Sequence, residues 1–215
     1  LSTPRDGSQT LASGDREIMS QQYWESRWQE HSTGWDLRQV SPPIAAYIDQ
    51  LPATAHNDSI LIPGCGNGYE ALYLLQHGFT NITMLDIAPT AVETLRHRLD
   101  AEAPGWEDRL HLVCGDFFAH TGAYDLILEQ TFFCAIDPSL RPDYARQMKA
   151  LLKPGGKVAG VLFNREFEGG PPFSGSLQEY QYLFSPLFSI QTAEPCYNSI
   201  PPRAGTELFV ILVNA

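Results

Sequence analysis

From Ser59 onward, short apolar runs alternate with helix-length amphipathic segments. This alternation narrows the fold more than any other feature, because strands separated by helices assemble into a parallel sheet covered on both faces. Ser59 to Ile62 reads as a short buried strand running into Pro63 and a glycine cluster, and Tyr69 to His77 has helical apolar spacing closed by Gly78. Ile82 to Leu85 is the second strand, ending at Asp86. Pro89 then stands where a first helical turn tolerates proline, and that helix runs to about Ala101. Leu110 to Cys114 and Tyr124 to Glu129 are two more strands. Asp143 to Leu152 is helical and stops at the turn Lys153-Pro154-Gly155-Gly156, which feeds a fifth parallel strand, Lys157 to Phe163. A helix near Leu177 to Phe184 precedes strands at Ser189 to Ala193 and Leu208 to Val213, which add a hairpin to one sheet edge. There is no internal repeat.

At 215 residues with 43% hydrophobic content, the chain has apolar material for one core and not comfortably for two. A formal charge of -11 without a long Lys/Arg run excludes a surface that tracks phosphates, so nucleic acid is not an expected partner. No apolar stretch approaches the roughly 20 residues that span a bilayer, and no secretory signal opens the chain. A cytoplasmic protein is expected, with a monomer favoured. Cys65, Cys114, Cys134 and Cys196 are far apart and have no zinc-ligand spacing, which predicts free thiols and no metal. Leu1 to Ile18 are polar and aperiodic, and Met19 stands where a native chain could begin, so 1–18 are set aside as a leader and 19–215 are taken as one domain.

The chemistry begins at Pro63-Gly64-Cys65-Gly66-Asn67-Gly68, where glycines between a buried strand and a helix let the backbone turn sharply and approach a ligand. The spacing is GxGxG, not the GxGxxG of a pyrophosphate-binding turn, and suits a nucleoside joined to an amino acid. Asp86 is placed to accept from both ribose hydroxyls; the plainer reading is a helix cap ahead of Pro89. Asp116, followed by Phe117, can accept from an adenine amino group while a backbone amide meets the ring; alone it would be a turn residue.

Several long strings together resemble the thiopurine methyltransferase superfamily, and within it the plant thiol and halide methyltransferases. They are Trp24, Trp28 and Trp35; Ile62-Pro63-Gly64-Cys65-Gly66; Phe132-Phe133-Cys134-Ala135-Ile136-Asp137-Pro138 with Arg141-Pro142; Gly169-Gly170-Pro171-Pro172-Phe173; and Ser199-Ile200-Pro201 with Arg203. The resemblance covers nearly everything after Tyr23. It implies a Rossmann-like class I methyltransferase: an α/β fold whose seven-stranded, mostly parallel sheet has helices on both faces and an antiparallel C-terminal hairpin. It implies S-adenosylmethionine (SAM) as cofactor, under a helical lid over about 20–50 that carries the three tryptophans. Trp24 and Trp28, four apart, share a helix face, and aromatic faces attract a sulfonium by about 0.5 to 2 kcal/mol; core packing would equally explain them. By the same resemblance Gly64 lines the methionine part, Asp86 the ribose, and Asp116 with Phe117 the adenine, with Cys65, Gly66 and Ile87 also among the cofactor's contacts. Gln130 and Thr131 follow the fourth strand, with Gln130 where the plant relatives place a tyrosine. Glu129-Gln130-Thr131-Phe132 lacks the Asn/Asp-Pro-Pro-aromatic string of amino-group methyltransferases.

The expected reaction is methyl transfer to a small thiol, bisulfide or halide anion by in-line displacement. A dry pocket and alignment favour it, and no catalytic acid or base is obligatory. Phe132, Phe133, Phe173, Tyr180 and Tyr182 are candidates for the acceptor wall, against ordinary core. Arg141 and Arg203 could attract an anion, against loop salt bridges worth under about 1 kcal/mol. The alternatives are a larger aromatic thiol, a metalloid anion, or a SAM-binding protein without turnover.

Overall fold

The computed structural model describes residues 20–215; the 1–18 leader lies outside them. Among the described residues the α-helices are α1 (Gln21–Gln29), α2 (Pro42–Asp49), α3 (Tyr69–Gln76), α4 (Pro89–Glu102), α5 (Arg141–Leu151) and α6 (Leu177–Phe184). The strands among the same residues are β1 (Ile60–Pro63), β2 (Ile82–Asp86), β3 (Leu110–Cys114), β4 (Tyr124–Gln130), β5 (Leu152–Phe163), β6 (Ser189–Pro195) and β7 (Glu207–Val213). They form one sheet in the order β3-β2-β1-β4-β5-β7-β6. The first five are parallel, and β7 runs antiparallel between β5 and β6, so the C-terminal hairpin is inserted with its second strand inward.

Alternation of side chains along the strands assigns the two faces. Ile60, Ile62, Met84, Leu126 and Leu128 point to one core, where α2, α3 and α4 contribute Ile44, Leu74 and Leu95. Leu61, Leu85, Ile127 and Leu162 point to the other, closed by Tyr144 and Met148 of α5 and Phe184 of α6. All four residues of β1 are buried, as expected of a central parallel strand covered on both sides. The continuous apolar runs in the sequence have the same cause.

Two sequence expectations shift. α5 begins at Arg141, because Pro142 occupies a first-turn position where its missing N–H costs nothing. The Lys153–Gly156 turn is absorbed into β5: Leu152 already pairs with Tyr124, and the register slips between Tyr124 and Leu126. Gly155 there has φ +77° and donates to the Asn214 carbonyl, so the expected turn is an irregularity within a strand.

The sheet order reverses direction between β1 and β4. Crevices at the carboxyl ends of such strands are where open α/β sheets take ligands.

Candidate functional site

A cavity of about 720 Å³ opens at that crevice, lined by the loops after β1, β2, β3, β4 and β5 and by the segment from Trp24 to Gln39. Its floor is the glycine loop. Gly64 has φ +58°, and a Cβ there would lie 2.4 Å from the Phe132 ring, so only glycine satisfies both the backbone and the close approach of the β4 loop. The Cys65 N–H donates to the Leu85 carbonyl at 3.1 Å, pinning the loop to β2.

Asp86 ends β2 and is 8% exposed. Its Oδ2 accepts from the Gly66 N–H at 2.9 Å and its Oδ1 from the Ala88 N–H at 3.0 Å. One carboxylate therefore shapes the glycine loop and caps the entry to α4. Burial raises its pKa, against the pull of these amides. An ionised carboxylate has about four acceptor sites, so the capping role leaves capacity for a ligand. Asp116 lies in the exposed rim of the cavity and accepts from the Phe118 N–H at 2.9 Å; Phe117 beside it is buried and meets Phe132 edge-on at 5.1 Å.

The three tryptophans come together at the mouth. Trp35 stands edge-on to Trp24 at 5.6 Å and to Trp28 at 6.2 Å, and Trp28 packs on Ala88 and Ala91. Two acids that sequence reasoning missed hold this segment down. Glu25 accepts from the Thr90 N–H and hydroxyl, joining α1 to the start of α4. Asp36 accepts from Asn67 Nδ2 at 2.9 Å and from the Tyr69 hydroxyl at 3.2 Å, joining the Trp35 turn to the glycine loop. Glu25 lies between two tryptophans of one helix and Asp36 directly follows the third; that adjacency was the available signal.

On the opposite wall, β4 ends in Gln130, and Thr131 adopts φ +56°. The turn is held from beneath by Glu129, which accepts from the Phe132 and Phe133 amides at 2.9 Å each and from the Tyr144 hydroxyl. Burial raises its pKa to about 6, partly offset by these donors. Both polar atoms of the Gln130 amide are buried without a protein partner, and this residue lies between the large cavity and a second of about 10 Å³.

All twelve residues expected around the cofactor line the cavity. The acceptor set divides. Phe132 and Arg203 line it, whereas Phe133, Phe173, Arg141, Tyr180 and Tyr182 do not. Phe133, 1% exposed, is core between Tyr144 and Tyr180. Arg141 is buried over the Phe133 ring and paired with Glu179 and the Ser174 carbonyl. Tyr180 donates to the Phe163 carbonyl within the same core, and Tyr182, 85% exposed on α6, faces solvent. The Phe173 ring folds back on Gly170 while its N–H donates to Cys134. The cavity surface beside Phe132 is formed instead by Ile136, Phe163, Phe167, Pro171 and Pro172, with Arg165.

A crevice at the switch point and a glycine-rich cradle with left-handed turns at Gly64, Gly66 and Gly68 fit a nucleoside-bearing cofactor, and the sheet is that of the class I SAM-dependent methyltransferases. The chain belongs to the thiopurine S-methyltransferase family, whose model matches residues 19–208. It is therefore a SAM-dependent methyltransferase acting on a small molecule. It is 35% identical over 190 residues to a probable thiol methyltransferase 2 of Arabidopsis thaliana, covering 86% of this chain and 81% of the relative. To thiocyanate methyltransferase 1 of the same plant it is 30% identical with the same coverage. The 1,6-didemethyltoxoflavin-N1-methyltransferase of Burkholderia thailandensis, solved with S-adenosylhomocysteine, shares the fold at TM-score 0.72 and 16% identity, over 99% of this chain and 94% of that one. Among the described residues no helix is long and apolar enough to cross a membrane, and no side-chain cluster could hold a metal.

Proposed function

We propose that the chain methylates a small, soft nucleophile, a thiol, bisulfide or a halide or pseudohalide anion, with no obligatory protein acid or base. The observation that carries this reading is the make-up of the acceptor wall, which is aromatic, aliphatic and prolyl, with no histidine among the described residues lining the cavity. Arg203 supports it. Its guanidinium lies 5.3 Å from the Phe163 ring centre and is held by Glu207 at 3.6 Å and by the Trp35 carbonyl, so it brings a positive charge to the edge of the wall. The names of the two plant relatives, a thiol and a thiocyanate methyltransferase, point the same way.

The cofactor supplies a methyl group on positively charged sulfur, and transfer to an anion neutralises charge, so a wall that strips water from the nucleophile favours displacement. In this reading Asp86 takes the ribose hydroxyls beside Ile87, Asp116 and the Phe117 amide meet the adenine, and Gly64, Cys65 and Gly66 carry the methionine part. Gln130 and Thr131 complete that wall, and Trp24, Trp28 and Trp35 close the mouth as a helical lid on a single domain.

The thiopurine S-methyltransferase name of the family and of further relatives favours a second reading, an aromatic thiol as acceptor. One experiment separates the two. Purified protein is given SAM with iodide, bisulfide, thiocyanate or an aromatic thiol in separate vials, and headspace gas chromatography is run beside S-adenosylhomocysteine release. Volatile methylated product supports the small-nucleophile reading. Turnover of the aromatic thiol alone selects the second, and SAM binding without any turnover defeats both.

A further inference from the structure

Four carboxyl groups line the cavity, and three of them are held by other residues. Asp36 accepts from Asn67, Tyr69 and the Arg38 amide, Asp86 from the Gly66 and Ala88 amides, and Asp116 from the Phe118 amide. The fourth is Glu70, in the first turn of α3 directly after the glycine loop. It is 8% exposed, and among the described residues no cation and no donor from another residue meets its carboxyl; its own backbone N–H is its one support. Burial lifts its pKa from 4.5 to about 7.

A buried carboxyl without a counter-charge destabilises the fold that contains it, so its place in the structure calls for a partner from outside the chain. Its position at the start of α3 does not explain it, since an exposed glutamate would serve the positive end of a helix equally well. The cavity side of Glu70 is the glycine loop, next to Cys65, whose thiol senses both Glu70 and Asp86. Glu70 and Asp86 thus face the same loop, and Asp86 is already engaged with it through the Gly66 amide.

We propose that Glu70 receives the positively charged amino group of the cofactor's amino-acid portion. The assignment rests on the cofactor placement proposed above, with the ribose at Asp86 and the methionine part along the glycine loop. It makes Glu70 a binding residue that reads one end of SAM through a charge-assisted hydrogen bond.

The test compares wild type with Glu70→Gln, which keeps the shape and removes the charge, by calorimetric titration with SAM, S-adenosylhomocysteine and 5′-methylthioadenosine. The second ligand keeps the amino group and lacks the sulfonium charge; the third lacks the amino-acid portion. The expected result is a loss of about tenfold or more for the first two ligands and no change beyond about twofold for the third. The apo variant should melt no lower than wild type, because the substitution removes an unpaired buried charge. An equal loss for all three ligands would make Glu70 structural, a loss for SAM alone would assign it to the sulfonium, and no loss would remove it from the site; each overturns the proposal. Failure of the wild type to bind SAM would instead overturn the cofactor placement beneath it.

Discussion

The two sides of the cavity are built by different physics. After β1 and β2 the loops are fixed by backbone amides on carboxylates, with Asp86 gripping Gly66 and Ala88 and Asp36 gripping the Asn67 side chain. After β4 and β5 the surface offered to a ligand is rings and prolines, and the one carboxylate that shapes it, Glu129, is hidden underneath. Directional bonds hold a polar ligand in one pose, whereas an apolar wall holds whatever fits its volume. A chain built this way can keep its cofactor while its acceptor changes.

The sharpest way to break the comparison is Gly64→Ala, because the added Cβ reaches from the first side into Phe132 on the second. A left-handed alanine and the overlap together should cost about 2 to 5 kcal/mol in denaturant unfolding, with SAM affinity lost as well. Wild-type values for both would show that the two loops move independently. Asp86→Ala comes next and should act on one side alone. It should weaken SAM by on the order of 1.5 to 3 kcal/mol in calorimetric titration and leave the acceptor KM unchanged at saturating SAM.

A smaller effect separates the hidden carboxylate from the visible ones. Burial raises Glu129 from 4.5 to about 6, so the folded chain holds this proton longer than the unfolded one. Stability from the group is complete below pH 4.5 and is lost as pH rises through about 6, a change of at most about 2 kcal/mol. Glu129→Gln should flatten that part of the unfolding free energy against pH; an unaltered slope would mean that Glu129 does not titrate in this window. Glu70 acts with the same sign up to about 7, but it is present in both proteins and drops out of the difference between them. The smallest expectation is Tyr182→Ala, exposed and outside both walls, which should shift stability by no more than about 0.5 kcal/mol and leave kcat/KM for every acceptor intact.

The same division governs how much could be read from the sequence. Strands buried on both faces leave apolar runs, and β1 to β4 fall within a residue or so of their expected bounds. Gly64 and Asp86 are legible because few residue types satisfy a left-handed turn or the end of a buried strand. The apolar wall after β4 and β5 is not legible, because its residues differ in direction and not in type. Phe132 and Phe133 are adjacent phenylalanines, yet one lines the cavity and the other is sealed beneath it by Arg141 and Tyr180. Within Pro171-Pro172-Phe173 the eye goes to the aromatic, but the two prolines form the surface. Glu70 carries no local pattern at all; it becomes conspicuous only when every neighbouring carboxyl has been matched to its donors.

Cys65 and Cys134 both line the cavity, and burial is the main reason that their thiols are hard to ionise. Cys65 is pushed well above the ordinary range, with Asp86 and Glu70 adding to the effect, and Cys134 is pushed up to about 12, with Glu129 adding to it. At neutral pH both therefore stay as thiols, and the thiolate is the form that attacks carbon. A methyl donor in this cavity therefore meets two sulfur atoms that are chemically silent, and the protein is protected from alkylating itself.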